Sequence, residues 1–162
     1  MIENDAGPGV DSGGSSDPLA EARQICLDEI NRLRATRGLP AYAPWTDAHV
    51  CVDGQATSDE ASSSPHGTFG TCGESGQNEC LGGGTAGIVS CLGRMWAERE
   101  QAGCAGCDAC ADAYDPSCPN CDFFGTTTGD VCGHYVNMSA RYFTQVACGF
   151  SSGGGWAALD YR

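Results

Sequence analysis

The sequence predicts an α+β domain cross-linked by disulfides, and three observations predict it. Apolar residues recur at helical spacing through the earlier part of the chain, and two short alternating segments rich in aromatics close it. No glycine-rich loop joins a strand to a helix, which argues for helices packed on strands and against a βαβ nucleotide-binding fold. Twelve cysteines, an even number, stand in 162 residues, the density of a protein matured in an oxidising compartment. The length suits one domain with a hydrophobic core.

The elements follow in order. Residues 1–16 are mostly glycine, serine and acidic residues with little to bury, so they read as a flexible acidic tether. Met1-Ile2-Glu3-Asn4-Asp5 reads as a start from which an export signal has been removed. The single domain is expected over 17–162. Asp17-Pro18 looks like an N-cap with proline at the first helical position, and Leu19, Ala22, Cys26, Ile30 and Leu33 make one apolar stripe before Gly38-Leu39-Pro40 stops the helix. Cys26 on that stripe is expected to pin the helix through a disulfide. Thr46 or Asp47 opens a second helix to about residue 60, and His49 within it is read as structural or exposed. A third helix is expected over 85–101, with Met95 and Trp96 as core residues. Strands are expected near 142–149 and 155–161, with Ser151-Ser152-Gly153-Gly154 as the turn.

Charge narrows the partners. Eight arginines and no lysine face 21 acidic residues, a formal charge of -13. A phosphate backbone would be repelled, so nucleic acid is excluded as a partner and anionic lipid surfaces are disfavoured. No apolar run approaches the roughly 20 residues of a membrane span. The expected setting is extracellular or tethered to a cell surface.

Residues 104–121 space their cysteines as C-x2-C-x2-C-x7-C-x2-C. Disulfides knotting this insertion are the favoured reading. The alternative is structural zinc held by the thiolates of Cys107, Cys110, Cys118 and Cys121 as paired C-x2-C knuckles. An iron–sulfur site fits less well, since its spacing needs three residues before the fourth cysteine. A C-x2-C redox couple lacks supporting basic or aromatic neighbours.

Any histidine chemistry must draw on His49, His66 and His134. His66 stands in the loop Ser64-Pro65-His66-Gly67, where a polar ring has no packing role, and Glu74 follows in Cys72-Gly73-Glu74. His134 follows Cys132-Gly133. Two neutral imidazoles with nearby carboxylates suit zinc or another divalent cation, with a position left for water or substrate. A carboxylate such as Glu74 could then act as a catalytic base on bound water. By spacing alone, polar residues that merely shape loops explain the pattern as well. No nucleophile elbow is present, and paired cysteines are not nucleophiles.

Several motifs in order resemble the CAP superfamily of cysteine-rich secretory proteins, venom antigens and plant pathogenesis-related proteins, in its bacterial extracellular form. Ile25 to Arg34 resembles the opening helix. Gly73-Glu74-Ser75 resembles Gly-Glu-Asn, Gly133-His134-Tyr135-Val136-Asn137-Met138 resembles Gly-His-Tyr-Thr-Gln-x, and Val146-Ala147-Cys148-Gly149 resembles Val-Gly-Cys-Gly. The resemblance runs over about residues 19–162. It implies a three-layer α-β-α sandwich with a central antiparallel sheet and a cleft holding two histidines and two glutamates. Those would be His66, Glu74, His134, and Glu98 or Glu100, which flank Arg99 beyond Trp96. It also implies that the histidines hold zinc or another divalent ion, and that the 104–121 stretch is an insertion, rimming the cleft or decorating the surface. Asn137 falls at a cleft-side polar position, and the sequon Asn137-Met138-Ser139 is read as inert.

The leading functional expectation is an extracellular binding or effector module whose ligand is a small molecule, lipid, peptide or cell-surface component. A metal-dependent peptidase or esterase is the enzymatic alternative. A structural surface protein with no metal site is the third.

Overall fold

A computed structural model describes residues 17–162. The tether expected over 1–16 lies outside the described residues. Helix α1 spans Ala20–Ala35. Asp17 sits before it and accepts the Leu19 N–H at 2.9 Å while its other oxygen takes the Arg23 guanidinium at 2.7 Å. The predicted stripe is on the buried side, with Cys26 and Ile30 fully covered. Strand β1, Ala43–Pro44, follows the proline stop, and a 3-10 turn at Thr46–Ala48 leads into α2, His49–Ser62. Strand β2 is Gly76–Leu81, α3 is Gly84–Ala97, and α4 is Gly133–Ser139. The chain closes with β3, Gln145–Phe150, and β4, Trp156–Tyr161. The two final strands and their turn lie close to the expected positions, although β3 starts three residues later than the expected 142.

The four strands form one sheet in the order β1-β3-β4-β2. Its β3/β4 and β2/β4 pairs are antiparallel. The expectation of a purely antiparallel sheet is corrected by β1, which runs parallel to β3. Ala43 and Trp45 donate to Thr144 and Val146 at 2.9 and 2.8 Å, so the ladder uses the N–H groups on either side of Pro44. A proline is tolerated there because it lacks only a donor that the pairing does not need.

Alternation along β3 and β4 sorts the core. Val146, Cys148, Phe150, Ala157, Leu159 and Tyr161 join the cluster that includes Ile30 of α1, Leu92 of α3 and Met138 of α4. Ala147 and Ala158 instead meet Val52 and Ala56 of α2 together with Trp45. Helix α2 crosses β3 very closely, since a Cβ on Gly149 would lie 2.5 Å from the Val52 carbonyl carbon. Only glycine fits that crossing.

All twelve cysteines are paired. Cys26–Cys148 ties α1 to β3, Cys51–Cys72 ties α2 to the loop before β2, and Cys80–Cys91 ties β2 to α3. Cys104–Cys132 closes the base of the insertion, with Cys107–Cys121 and Cys110–Cys118 inside it. The four-thiolate zinc reading of Cys107, Cys110, Cys118 and Cys121 is therefore corrected, because a disulfide sulfur carries no thiolate charge to give a metal. Zinc would require free thiols, and none remain among the described residues.

Candidate functional site

His66 lies in a tight loop with a left-handed backbone, φ 60°. Its conformation is held from two sides. The backbone N–H donates to Glu79 Oε2 at 2.7 Å, and ring Nδ1 meets Gln77 Oε1 at 2.9 Å. Gln77 Nε2 donates to Gln55 Oε1 and to Asp160 Oδ1, both at 3.1 Å. Those two acceptors fix the amide so that its carbonyl oxygen faces the imidazole. Nδ1 is then the protonated nitrogen and Nε2 keeps its lone pair.

His134 is built the same way from another element. It stands in the first turn of α4, and its Nδ1 meets Glu98 Oε1 at 2.5 Å. Glu98 Oε2 accepts the Tyr135 N–H at 3.0 Å. The carboxylate thus sets both the tautomer and the ring orientation and again leaves Nε2 without a hydrogen-bond partner. Strand β2 and α4 are stitched together by Asn78 Nδ2 to the His134 carbonyl and Asn137 Nδ2 to the Gln77 carbonyl, both at 3.1 Å. These bonds put the two imidazoles on one cavity of about 870 Å³, lined also by Gln77 and Asn137. Gly76 keeps its floor open, as a Cβ there would meet the Phe143 ring at 2.8 Å and Asn137 Oδ1 at 3.0 Å.

Of the two carboxylates flanking Arg99, Glu98 is the one that meets His134, although it is not itself among the cavity-lining residues. Helix α3 ends at Ala97 and the chain tightens into a 3-10 turn over Glu98–Glu100. Glu100 instead pairs with Arg99 at 2.9 Å, its side chain 70% exposed. Glu98→Gln is expected to lower divalent-metal affinity about 10- to 100-fold, as loss of a ligand-orienting carboxylate does elsewhere. Glu100→Gln is expected to leave it unchanged; paired zinc titrations of the two variants check this.

Glu74 is placed differently from its expected role. Its carboxylate accepts Gln55 Nε2 at 2.7 Å, the Cys72 N–H at 2.9 Å and the Gly70 N–H. It anchors the 66–73 loop from beneath and is not among the cavity-lining residues. Gln77 occupies the place beside His66. His49, at the start of α2, also lies off the cavity, and burial holds its ring below the usual histidine range.

Below His66 lies a group of buried acids that sequence reasoning missed. Asp59 and Asp160 are fully buried, and Glu79 nearly so. Glu79 Oε1 and Asp160 Oδ2 have no hydrogen-bond partner. Burial, with neighbouring carboxylates adding to it, pushes Asp160 up to about 7 and Glu79 also to about 7. The available signal was an acid inside the apolar strand Trp156–Tyr161, where alternation turns residue 160 inward.

His66 and His134 line the same cavity, and paired imidazoles are donors of the kind that divalent ions take. Each ring has one nitrogen oriented by an oxygen and the other left for coordination, which is the arrangement that metal-ligating histidines adopt. The close groups of three or more potential ligands among the described residues are Cys104, Cys107 and Cys132, and Cys72, Glu74 and Asp160, and neither includes His66 or His134. Every cysteine in them is in a disulfide. No helix among the described residues is long and apolar enough to cross a membrane. No protein-family model matches the chain, and no curated protein matches it.

Proposed function

We propose that the chain is a CAP-like extracellular binding module whose cleft holds a divalent metal ion, zinc first among them, between His66 and His134. The observation that carries this reading is the matched pair of imidazoles on one cavity, each with Nδ1 held by an oxygen and Nε2 unpartnered. A bound zinc ion would supply Lewis acidity, with positions beyond the two imidazoles left to water or ligand. Helices on both faces of the sheet support the three-layer α-β-α arrangement that the family resemblance implies. Six disulfides and a strongly acidic chain support an extracellular setting.

A binding role is favoured over peptidase or esterase chemistry by the state of the carboxylates. Glu74 already accepts three N–H groups, and both oxygens of Glu98 are engaged by His134 and Tyr135. Neither is free to take a proton from a water at the imidazoles.

Zinc titration by calorimetry on the oxidised protein tests the assignment. His66→Ala and His134→Ala are each expected to lower affinity at least about tenfold while the disulfide count by intact mass stays at that of the parent. Undiminished zinc affinity in both variants would remove the ion from this cleft.

A further inference from the structure

We propose that the cleft binds a small aromatic carboxylate, its ring against a wall supplied by the cysteine-rich insertion and its carboxylate beside the imidazoles and Arg162. This rests on reading the cleft as a binding site, but it does not require the metal.

Size and surface point first to a ligand. A cavity of about 870 Å³ lies in the range that encloses small organic molecules. Among the described residues eight large apolar side chains are exposed, and four of them, Phe69, Tyr114, Phe124 and Val131, line this one cavity. Exposed apolar residues ordinarily scatter, and their convergence marks a surface kept open for a partner.

The wall favours a flat ring. Tyr114 packs edge-on to Phe123 with centroids 5.4 Å apart, and Phe123 edge-on to Phe124 at 4.7 Å. Tyr142 and Phe143 form a second edge-on pair at 4.5 Å within the lining. Aromatic rings held by one another present faces and edges in fixed directions, which suits another ring and loses little side-chain entropy on binding. Tyr114 belongs to the insertion and Phe123, Phe124 and Val131 to the segment that Cys132 closes. The insertion therefore contributes to the cleft and is more than surface decoration.

Charge selects the head group. In a chain of formal charge -13, the lining contains no aspartate or glutamate and a single arginine, Arg162. Its guanidinium lies over the Trp45 ring at 4.1 Å and Nε donates to Gln145 Oε1 at 2.6 Å. Among the described residues no carboxylate pairs with it. A braced arginine that no carboxylate pairs with among the described residues, on the same cavity as two imidazoles, fits one carboxylate.

The test is calorimetric binding of 2-naphthoate to the oxidised chain, first stripped of metal with chelator and then loaded with zinc. 2-Naphthylmethylamine keeps the ring and reverses the charge; decanoate keeps the charge and removes the ring. Naphthoate is expected to bind at least about tenfold tighter than either, a difference of roughly one aromatic contact or one charge-assisted hydrogen bond. Phe124→Ser is expected to weaken naphthoate about threefold to tenfold. Phe124 is 67% exposed, so this change leaves the fold intact. Arg162→Gln is expected to bring naphthoate down to the affinity of uncharged 2-naphthalenemethanol. Equal or tighter binding of the amine overturns the charge assignment, and equal or tighter binding of decanoate makes a flexible chain the occupant. Naphthoate affinity unmoved by Phe124→Ser detaches the segment between the insertion and Cys132 from the site. Zinc binding without naphthoate binding sinks this proposal alone; naphthoate binding without zinc binding sinks the metal reading alone.

Discussion

Asp160→Asn is expected to stabilise the domain at pH 8 and to be nearly neutral at pH 4. Asp160 is fully buried, Oδ1 accepts from Gln77, and Oδ2 has no partner. Burial, then the neighbouring Glu74, raises its pKa from 3.8 to about 7. A carboxyl whose folded pKa lies above its unfolded one favours folding while protonated. That contribution is complete below about pH 4 and is lost as pH rises through about 7. At pH 8 the ionised group opposes folding by up to roughly 4 kcal/mol, taking about 1.4 kcal/mol per unit. Asparagine keeps the acceptor for Gln77 and places an N–H₂ where the unpartnered oxygen stands, near the Glu74 carboxylate. Urea unfolding at the two pH values measures the difference. A gain at pH 8 no larger than at pH 4 would show that Asp160 is not held protonated by its surroundings. Glu79, also raised to about 7, adds to the loss of stability over the same window in the parent protein.

Arg34→Leu is expected to cost about 3–5 kcal/mol, the sum of several charge-assisted hydrogen bonds and a cation–π contact less the apolar gain. Arg34 is 1% exposed and has no carboxylate partner among the described residues. Its guanidinium donates to the carbonyls of Pro40, Met138 and Ala140 at 2.7, 2.6 and 3.0 Å and lies 3.6 Å above the Tyr42 ring. Ala140 retains the Tyr42 hydroxyl at 2.9 Å, but the Met138 and Pro40 carbonyls lose their side-chain donor. Burial lowers the Arg34 pKa, yet guanidinium stays charged, so the carbonyl dipoles must hold the cation. The same contacts fix the end of α4, the helix that begins beside His134. Urea midpoints for Arg34→Leu and Arg34→Lys separate charge from geometry. A loss below about 1 kcal/mol in the leucine variant would mean that water replaces the guanidinium at those carbonyls.

The parts of this architecture legible in the sequence are those where one face is apolar and the other is not. Cys26, Ile30 and Leu33 marked α1, and the alternation from Val146 to Phe150 and from Ala157 to Tyr161 marked the last two strands. Strand β2 escaped notice because Gly76-Gln77-Asn78-Glu79 has no apolar residue to alternate. Its polar side chains are buried by mutual hydrogen bonding, which leaves no trace in hydrophobic pattern. The pairing of His66 with Gln77 was hidden for the same reason. Helix α4 is only seven residues long, shorter than two full turns of signal. His134 and Glu98 were legible as candidates, but the choice of Glu98 over Glu100 depended on where α3 stops. That stop follows from no capping residue the sequence displays.

Besides Cys26–Cys148, which spans the same stretch, the bond between Cys104 and Cys132 gives the insertion a separate durability. A single protease cut at any peptide bond between these two residues would open the chain without detaching either part. Tyr114, Phe123 and Phe124 would remain covalently joined to the body that carries His66. A nicked molecule would therefore keep its full mass apart from one added water, and only reduction would divide it into two pieces.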